Sequence, residues 1–332
     1  MAHCMRLQRQ LVRSSRPLQQ RARALTRPRG VAVRAEAAGG KGDVLLRSLS
    51  QLGEVAVLAV DGTQLVAEAA RRHNTAPTAT AALGRTLMGA LLMGSFRKDD
   101  EAIQVSLKGD GVLGGVFAIA DTRGNVKGRV GNAKADPPLR PDGKLAVGDA
   151  VGSGVLSVVR SHPLQPQPYT GMVKIVSGEI AEDLATYMAE SEQTNSALAL
   201  GVAINRDCSV NAAGGYLVQV LPFCSDETLE QLEKNLSGLP SVTKMLQAGD
   251  TPQSITERIL EGIGTAGQPL TVTPKFGPCE SDVLKPRMKR AVASLGPAEV
   301  KAIIEEQGKI EVTCEFYNEA YQFSEEEVLE FV

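Results

Sequence analysis

Apolar residues change their spacing several times along this chain, and each change marks an element. Glu54 to Val60 becomes apolar without a break and reads as a strand, closed by the turn Asp61-Gly62. Gln64 to Ala70 opens a further element, helix or strand. Residues 76–94 are apolar almost all round, enter through Pro77 and keep one charge, Arg85. That pattern predicts a buried helix, since a membrane span needs about 20 uncharged apolar residues. Gly84 and Gly89 on it let a neighbouring layer approach closely.

Short period-two runs follow. Ile103 to Leu107, Val116 to Ala120 and Tyr169 to Val176 are predicted strands, as are Ala197 to Val210 and Ala213 to Leu221. Ser177 to Met188 opens a helix with Glu179, Glu182 and Asp183 in its first turns, where the macrodipole favours acids. No histidine lies in that run to complete a metal set, so the carboxylates read as a helix start.

From Ser225 the pattern shortens. Residues 226–236, 242–248 and 251–262 are amphipathic helices broken by Gly and Pro, with Thr251 as an N-cap and Pro252 behind it. Each is at or below the ~12–15 residues an isolated helix needs, so this stretch takes its structure from docking. Residues 265–269 read as a connection. In the last 62 residues Pro297 opens a helix, Gly308 ends it, and Ser324 to Glu327 forms a capping box.

Composition changes the picture at the N-terminus. The first 35 residues hold nine arginines and no acid before Glu36, with Pro17 and Pro28 interrupting any helix. No apolar run of secretory type follows the charges. This is the composition of an organellar transit peptide, residues 1–35, addressed to the chloroplast stroma by Val33-Arg34-Ala35 or, as the alternative, to the mitochondrial matrix. A basic arm that binds nucleic acid is the competing reading. Without the nine leader arginines, 36 basic and 38 acidic residues become a formal charge of −11. A mature chain so acidic makes a poor partner for a phosphate backbone. No membrane segment is expected either.

Candidate chemistry is sparse. Gly109 to Gly115 is a literal G-x-G-x-x-G. A dinucleotide site needs a helix directly after those glycines, and here a β-branched run follows, so a hairpin turn is expected in place of a nucleotide loop. His73 and His162 are isolated, and no Gly-x-Ser-x-Gly elbow occurs. An enzyme with a Gly-rich nucleotide loop is the weaker alternative. Cys208 and Cys224 read as small buried hydrophobes. Near the C-terminus, Cys314 opens a knuckle whose fourth position is Tyr317, and Cys279 has Ser281 two residues on. A metal knuckle would carry cysteine at both second positions.

Several motifs then converge. Ala81-Ala82-Leu83-Gly84-Arg85, Lys108-Gly109-Asp110-Gly111, Ser177 to Asp183, Ser191-Glu192-Gln193 and Ala213-Gly214-Gly215 stand in this order, with Ser294-Leu295-Gly296 and Glu311 to Phe316 beyond them. Together they resemble the heat shock protein 33 family of redox-regulated holdase chaperones from about residue 43 to 332. The resemblance implies an α+β chain in three parts. These are a mixed α/β core domain at 43–224, a metastable helical linker at 225–270 and a small α+β redox or zinc-type module at 271–332.

It implies unfolded client proteins as partners, held without ATP under oxidative or heat stress, and a homodimer on activation. The client-binding residues stay unassigned. Family members hold zinc with four cysteines, and oxidation releases the metal and unfolds the linker. Here the ligand positions are Cys279, Ser281, Cys314 and Tyr317, two of them without sulfur, so no cofactor is expected. A tight structural zinc contributes about 10–16 kcal/mol, beyond what two thiolates supply. Two switches stay open: a Cys279–Cys314 disulfide, which would constrain the unfolded chain by about 4 kcal/mol, or heat-driven opening without thiol control.

Overall fold

The long apolar run at residues 55–60 is buried on every residue, and the layers on both sides of it organise the molecule. A computed structural model describes residues 42–97, 100–278, 281–324 and 326–327, all within one compact unit. The transit-peptide assignment and Cys279 fall outside those residues.

Strand β1 (Val44–Leu49) pairs antiparallel with β2 (Val55–Asp61). Helix α1 (Thr63–His73) follows, so the element opening at Gln64 is helical. Helix α2 (Pro77–Gly94) is the expected buried helix, with Pro77 in its first turn and sixteen of its residues buried. Arg85 pairs there with Glu179 at 2.6 Å. A Cβ on Gly84 would lie 2.8 Å from Val66, and one on Gly89 would lie 2.4 Å from Leu184, so both glycines serve close packing.

Strands β3 (Ala102–Gly109), β4 (Val116–Asp121) and β5 (Asn125–Val130) form a meander. The Gly-rich stretch is the β3–β4 turn, as the run after it requires. A Cβ on Gly109 would sit 1.9 Å from the Val151 carbonyl oxygen. These glycines therefore admit the backbone of the short helix α3 (Val147–Val151), which five residues of sequence do not reveal. Strands β6 (Gly154–Ser161) and β7 (Tyr169–Lys174) continue the sheet. Helix α4 (Ala181–Glu190) starts at the acidic motif. Asp183 is fully buried and accepts from the amides of Val176, Ser177 and Ile180, while Glu179 holds Arg85 and Arg140. The carboxylates build the turn and the helix start.

Strands β8 (Ser196–Ile204) and β9 (Val210–Val220) return to the first sheet. The three short helices are α5 (Asp226–Gly238), α6 (Val242–Gln247) and α7 (Pro252–Ile259). Thr251 caps α7 by a reciprocal exchange with Ser254. Residues 270–276, which the sequence divides between linker and terminal module, run as β10 (Leu270–Val272) on β1 and β11 (Lys275–Phe276) parallel to β5. The sheets are thus five strands in the order β10-β1-β2-β9-β8 and six in the order β11-β5-β4-β3-β6-β7.

The terminal module contributes α8 (Ser281–Ala293), α9 (Pro297–Gln307) and the hairpin β12 (Ile310–Cys314) with β13 (Glu319–Phe323). Helix α8 carries Pro286 inside it, which hides it from pattern reading. Gly308 ends α9 in the left-handed region, and the Ser324 hydroxyl accepts from the Glu327 amide as the capping box requires. The expectation that Cys208 and Cys224 are buried is corrected. Cys208 is exposed in the β8–β9 turn, and Cys224 is half-buried in the loop before α5. Turns follow the surface, where a backbone can reach water.

Helix α2 lies between the two sheets, touching β4 and β5 on one side and β8 and β9 on the other. The linker helices α6 and α7 cover the opposite face of the five-stranded sheet, over β8–β9 and β1–β2 respectively. Among the described residues, no helix is long and apolar enough to cross a membrane.

Candidate functional site: a covered sheet face and a docked knuckle

Two arrangements carry the chemistry. One is the face of the five-stranded sheet under the linker. Pairing puts Leu46 opposite Ala59, Ala59 opposite Tyr216, and Val57 opposite Val218, so these residues share one face. That face is the linker's. A Cβ on Gly214, two residues before Tyr216, would meet Leu246 of α6 at 2.8 Å, whereas one on Gly215 would meet Leu200 and Leu92 on the α2 side. Leu46, Val57, Ala59, Tyr216 and Val218 are all buried. Burial pushes the Tyr216 hydroxyl's pKa up from its ordinary value.

The cover consists of Leu232 and Leu236 from α5, Met245 from α6, and Ile255 and Ile259 from α7. Its polar fastenings are few. The carboxylate of Glu54 accepts from the Thr228 hydroxyl at 2.6 Å and from the Ser225 amide at 3.0 Å, which in that order hold it below the usual carboxylate range. The Asn235 side-chain amide donates to the carbonyls of Ile259 and Glu261, tying α5 to α7. The sequence signal for this face was the unbroken burial-type run of β2, which only a strand covered on both sides requires.

The second arrangement is the knuckle between β12 and β13. The amide of Asn318 donates to the Cys314 carbonyl at 2.7 Å, closing the turn with Asn318 at φ +50°. Cys314 and Tyr317 are therefore brought to one turn, as their spacing suggests. Cys314 is buried at the end of β12. Tyr317 is only 1% exposed. Its ring meets Phe276 of β11 edge-on at 5.7 Å, and the Lys127 ammonium lies 5.4 Å from the Phe316 ring and 5.9 Å from the Tyr317 ring.

The knuckle also grips the end of α1. The Asn318 side-chain amide donates to the Arg72 carbonyl at 2.7 Å, satisfying one of the orphan carbonyls of that last turn. The His73 Nε2 lies 3.1 Å from the Phe316 carbonyl oxygen. Glu319 approaches Arg72 at 3.8 Å, and Glu315 approaches Arg129 of β5 at 3.2 Å.

These residues do not fit a zinc ion. The second knuckle position is taken by an aromatic ring packed into the interior, which offers neither thiolate nor imidazole. Ser281 is the first residue of α8, and its side chain, like Cys279, lies outside the described atoms.

Burial pushes the His73 imidazole below its ordinary pKa of 6.5, against the carbonyls of Phe316 and Gly128, which favour the cation. Arg72 beside it acts in the same direction as burial. The docked imidazole is thus neutral where a free one would take a proton. Its contribution to docking is full above pH 6.5 and is lost as pH falls through the lowered value. The protection factors of residues 314–319, corrected for the intrinsic pH dependence of exchange, should fall on acidification below pH 6.5, and His73→Gln should flatten that dependence.

Comparison with known proteins places this geometry in context. The Hsp33 protein family model matches residues 43–324. The 33 kDa chaperonin of Desulforamulus reducens is 40% identical over 286 residues, covering 86% of this chain and 96% of that protein. The 33 kDa chaperonin of Geobacter sulfurreducens is 42% identical over 287 residues, covering 86% and 93%. The crystal structure of the Thermotoga maritima Hsp33 homologue superposes with a TM-score of 0.79 at 36% identity, covering 87% of this chain and 97% of that one.

Proposed function

This chain belongs to the Hsp33 family of holdase chaperones, and from that membership we propose how it holds and releases clients. The client surface is the linker-covered sheet face, centred on Leu46, Val57, Ala59, Tyr216 and Val218. The observation that carries this reading is a strand buried on both sides whose outer cover is two helices of 6 and 8 residues, with a third of 13 packed on the second. Helices that short do not persist undocked. Undocking exposes an apolar patch of the kind that binds unfolded polypeptides. No part of this step uses ATP, and we read the protein as non-catalytic.

The control of undocking has two readings. In the first, oxidation joins Cys279 to Cys314. In the second, heat alone opens the linker, and the Tyr317 knuckle holds the terminal module on the core until it does. The packed ring of Tyr317 favours the second, because it fastens the knuckle without metal. The leader composition supports import into the chloroplast stroma, with the mitochondrial matrix as the alternative address, and N-terminal sequencing of the organellar protein identifies the cleavage point. A homodimer of the activated state belongs to the same proposal, as does the absence of nucleic-acid and membrane partners.

The test is suppression of citrate synthase aggregation by mature protein without ATP, reduced, oxidised and heated, beside a thiol count by non-reducing mass spectrometry. Suppression in the heated, reduced sample supports heat control. Suppression confined to an oxidised sample with a Cys279–Cys314 bridge supports the thiol switch. No suppression in any state rejects the mechanism.

A further inference from the structure

The α2 side of the five-stranded sheet, away from the client face, contains a cavity of about 140 Å³. It opens where the end of α2 meets β1, β6, β9 and α4. Its walls are mixed. Leu92, Met188 and Leu217 supply apolar surface, while Arg47, Arg97, Arg160, Ser95 and Gln219 present polar groups. A cavity of roughly 150 Å³ is the size that admits a benzene ring.

Among the described residues, the charges around it do not balance. Glu192 accepts from the Arg160 Nε at 2.8 Å and approaches Arg97 at 3.8 Å, and Glu101 approaches Arg97 at 3.9 Å. Two carboxylates thus serve Arg97 and Arg160, and no ion pair to a described residue holds Arg47. Two donors are also left over. Ser95 is 4% exposed and its hydroxyl has no hydrogen-bond partner, and the buried Arg160 Nη1 has none either. A buried donor without a partner is costly, and a charged one more so, so a bound acceptor would be favoured there. Burial and then the neighbouring Arg160 push the Arg97 guanidinium below its ordinary value, against Glu192 and Glu101, which raise it.

An inorganic anion would satisfy the donors and leave the apolar walls unused. A hydrocarbon would do the reverse. We propose that this cavity binds a small organic carboxylate with an apolar body about the size of benzoate, its carboxylate meeting Arg47, Arg160 and Ser95 and its ring lying against Leu92, Met188 and Leu217. Guanidinium groups match a carboxylate in a planar, two-pronged geometry. Such a ligand would bind the folded core on the face opposite the linker, and so would stabilise the core without competing with clients.

Benzoate titrated into the full-length protein, followed by calorimetry and by thermal melting, tests this. Saturable binding and a raised melting temperature are expected at millimolar concentration. Arg47→Gln should weaken binding about tenfold, equivalent to about 1.4 kcal/mol, with Arg47→Lys recovering part of it. Ser95→Ala should weaken it less, and the uncharged isostere benzyl alcohol should not bind measurably. No saturable binding of benzoate overturns the proposal, as does equal affinity in Arg47→Gln with an unchanged melting temperature of the free variant. Inorganic phosphate binding as tightly as benzoate would overturn the organic part of it.

Discussion

Ile255→Ala should convert this protein into a chaperone that suppresses aggregation at ordinary temperature, reduced and without added oxidant. Ile255 is 1% exposed on α7, which covers β1 and β2 of the five-stranded sheet. Removing a buried isoleucine to alanine costs about 2–5 kcal/mol, partly as lost burial and partly as the cavity left behind. Helix α7 has eight residues and little stability of its own, so that loss falls on docking. A shift of 2 kcal/mol changes the undocked fraction by about thirtyfold. Hydrogen exchange over residues 242–260 should accelerate while β2 and β9 stay protected. Thr251→Ala, which removes only the cap, should act in the same direction by about 1 kcal/mol. A variant whose linker exchanges freely and which still fails to hold clients would remove the sheet face as the client surface.

Tyr317→Ala should release the knuckle and lower the temperature at which the protein begins to hold clients. The ring is almost wholly buried and packs on Phe276, with Lys127 over it. Truncating a buried aromatic to alanine costs about 3–5 kcal/mol. The loss should appear as fast exchange across β12 and β13 and as freedom of the Asn318 contact to the end of α1. Tyr317→Phe keeps the ring contacts and should keep most of the docking. Tyr317→Cys restores the metal-type spacing with Cys314 but forfeits the same packing, and should behave like the alanine variant. If Tyr317→Ala leaves both the exchange of residues 310–323 and the activation temperature unchanged, the knuckle has no part in holding the module.

Much of this was legible along the chain because period and punctuation are local properties. The buried α2 with Pro77 near its start, the Gly-rich hairpin, the capped α7 and the Gly308 helix end each follow from a handful of neighbouring residues. Helices α3 and α8 did not show, one for its five residues and the other for Pro286 in its interior. The exposure of Cys208 was missed because residue type was weighed above its place in a turn.

By itself the sequence determined most of the element order, the apolar run of β2, the short helices after Ser225 and the serine and tyrosine at positions 281 and 317. Those depend on residue identity and spacing alone. Only the tertiary structure decided that β10 and β11 join the core sheets, that the linker covers the face carrying Tyr216, and that Tyr317 is buried against Phe276 beside His73. The reason is separation along the chain. His73 and Phe316 lie 243 residues apart, and a contact that distant is set by how layers stack, which no local pattern encodes.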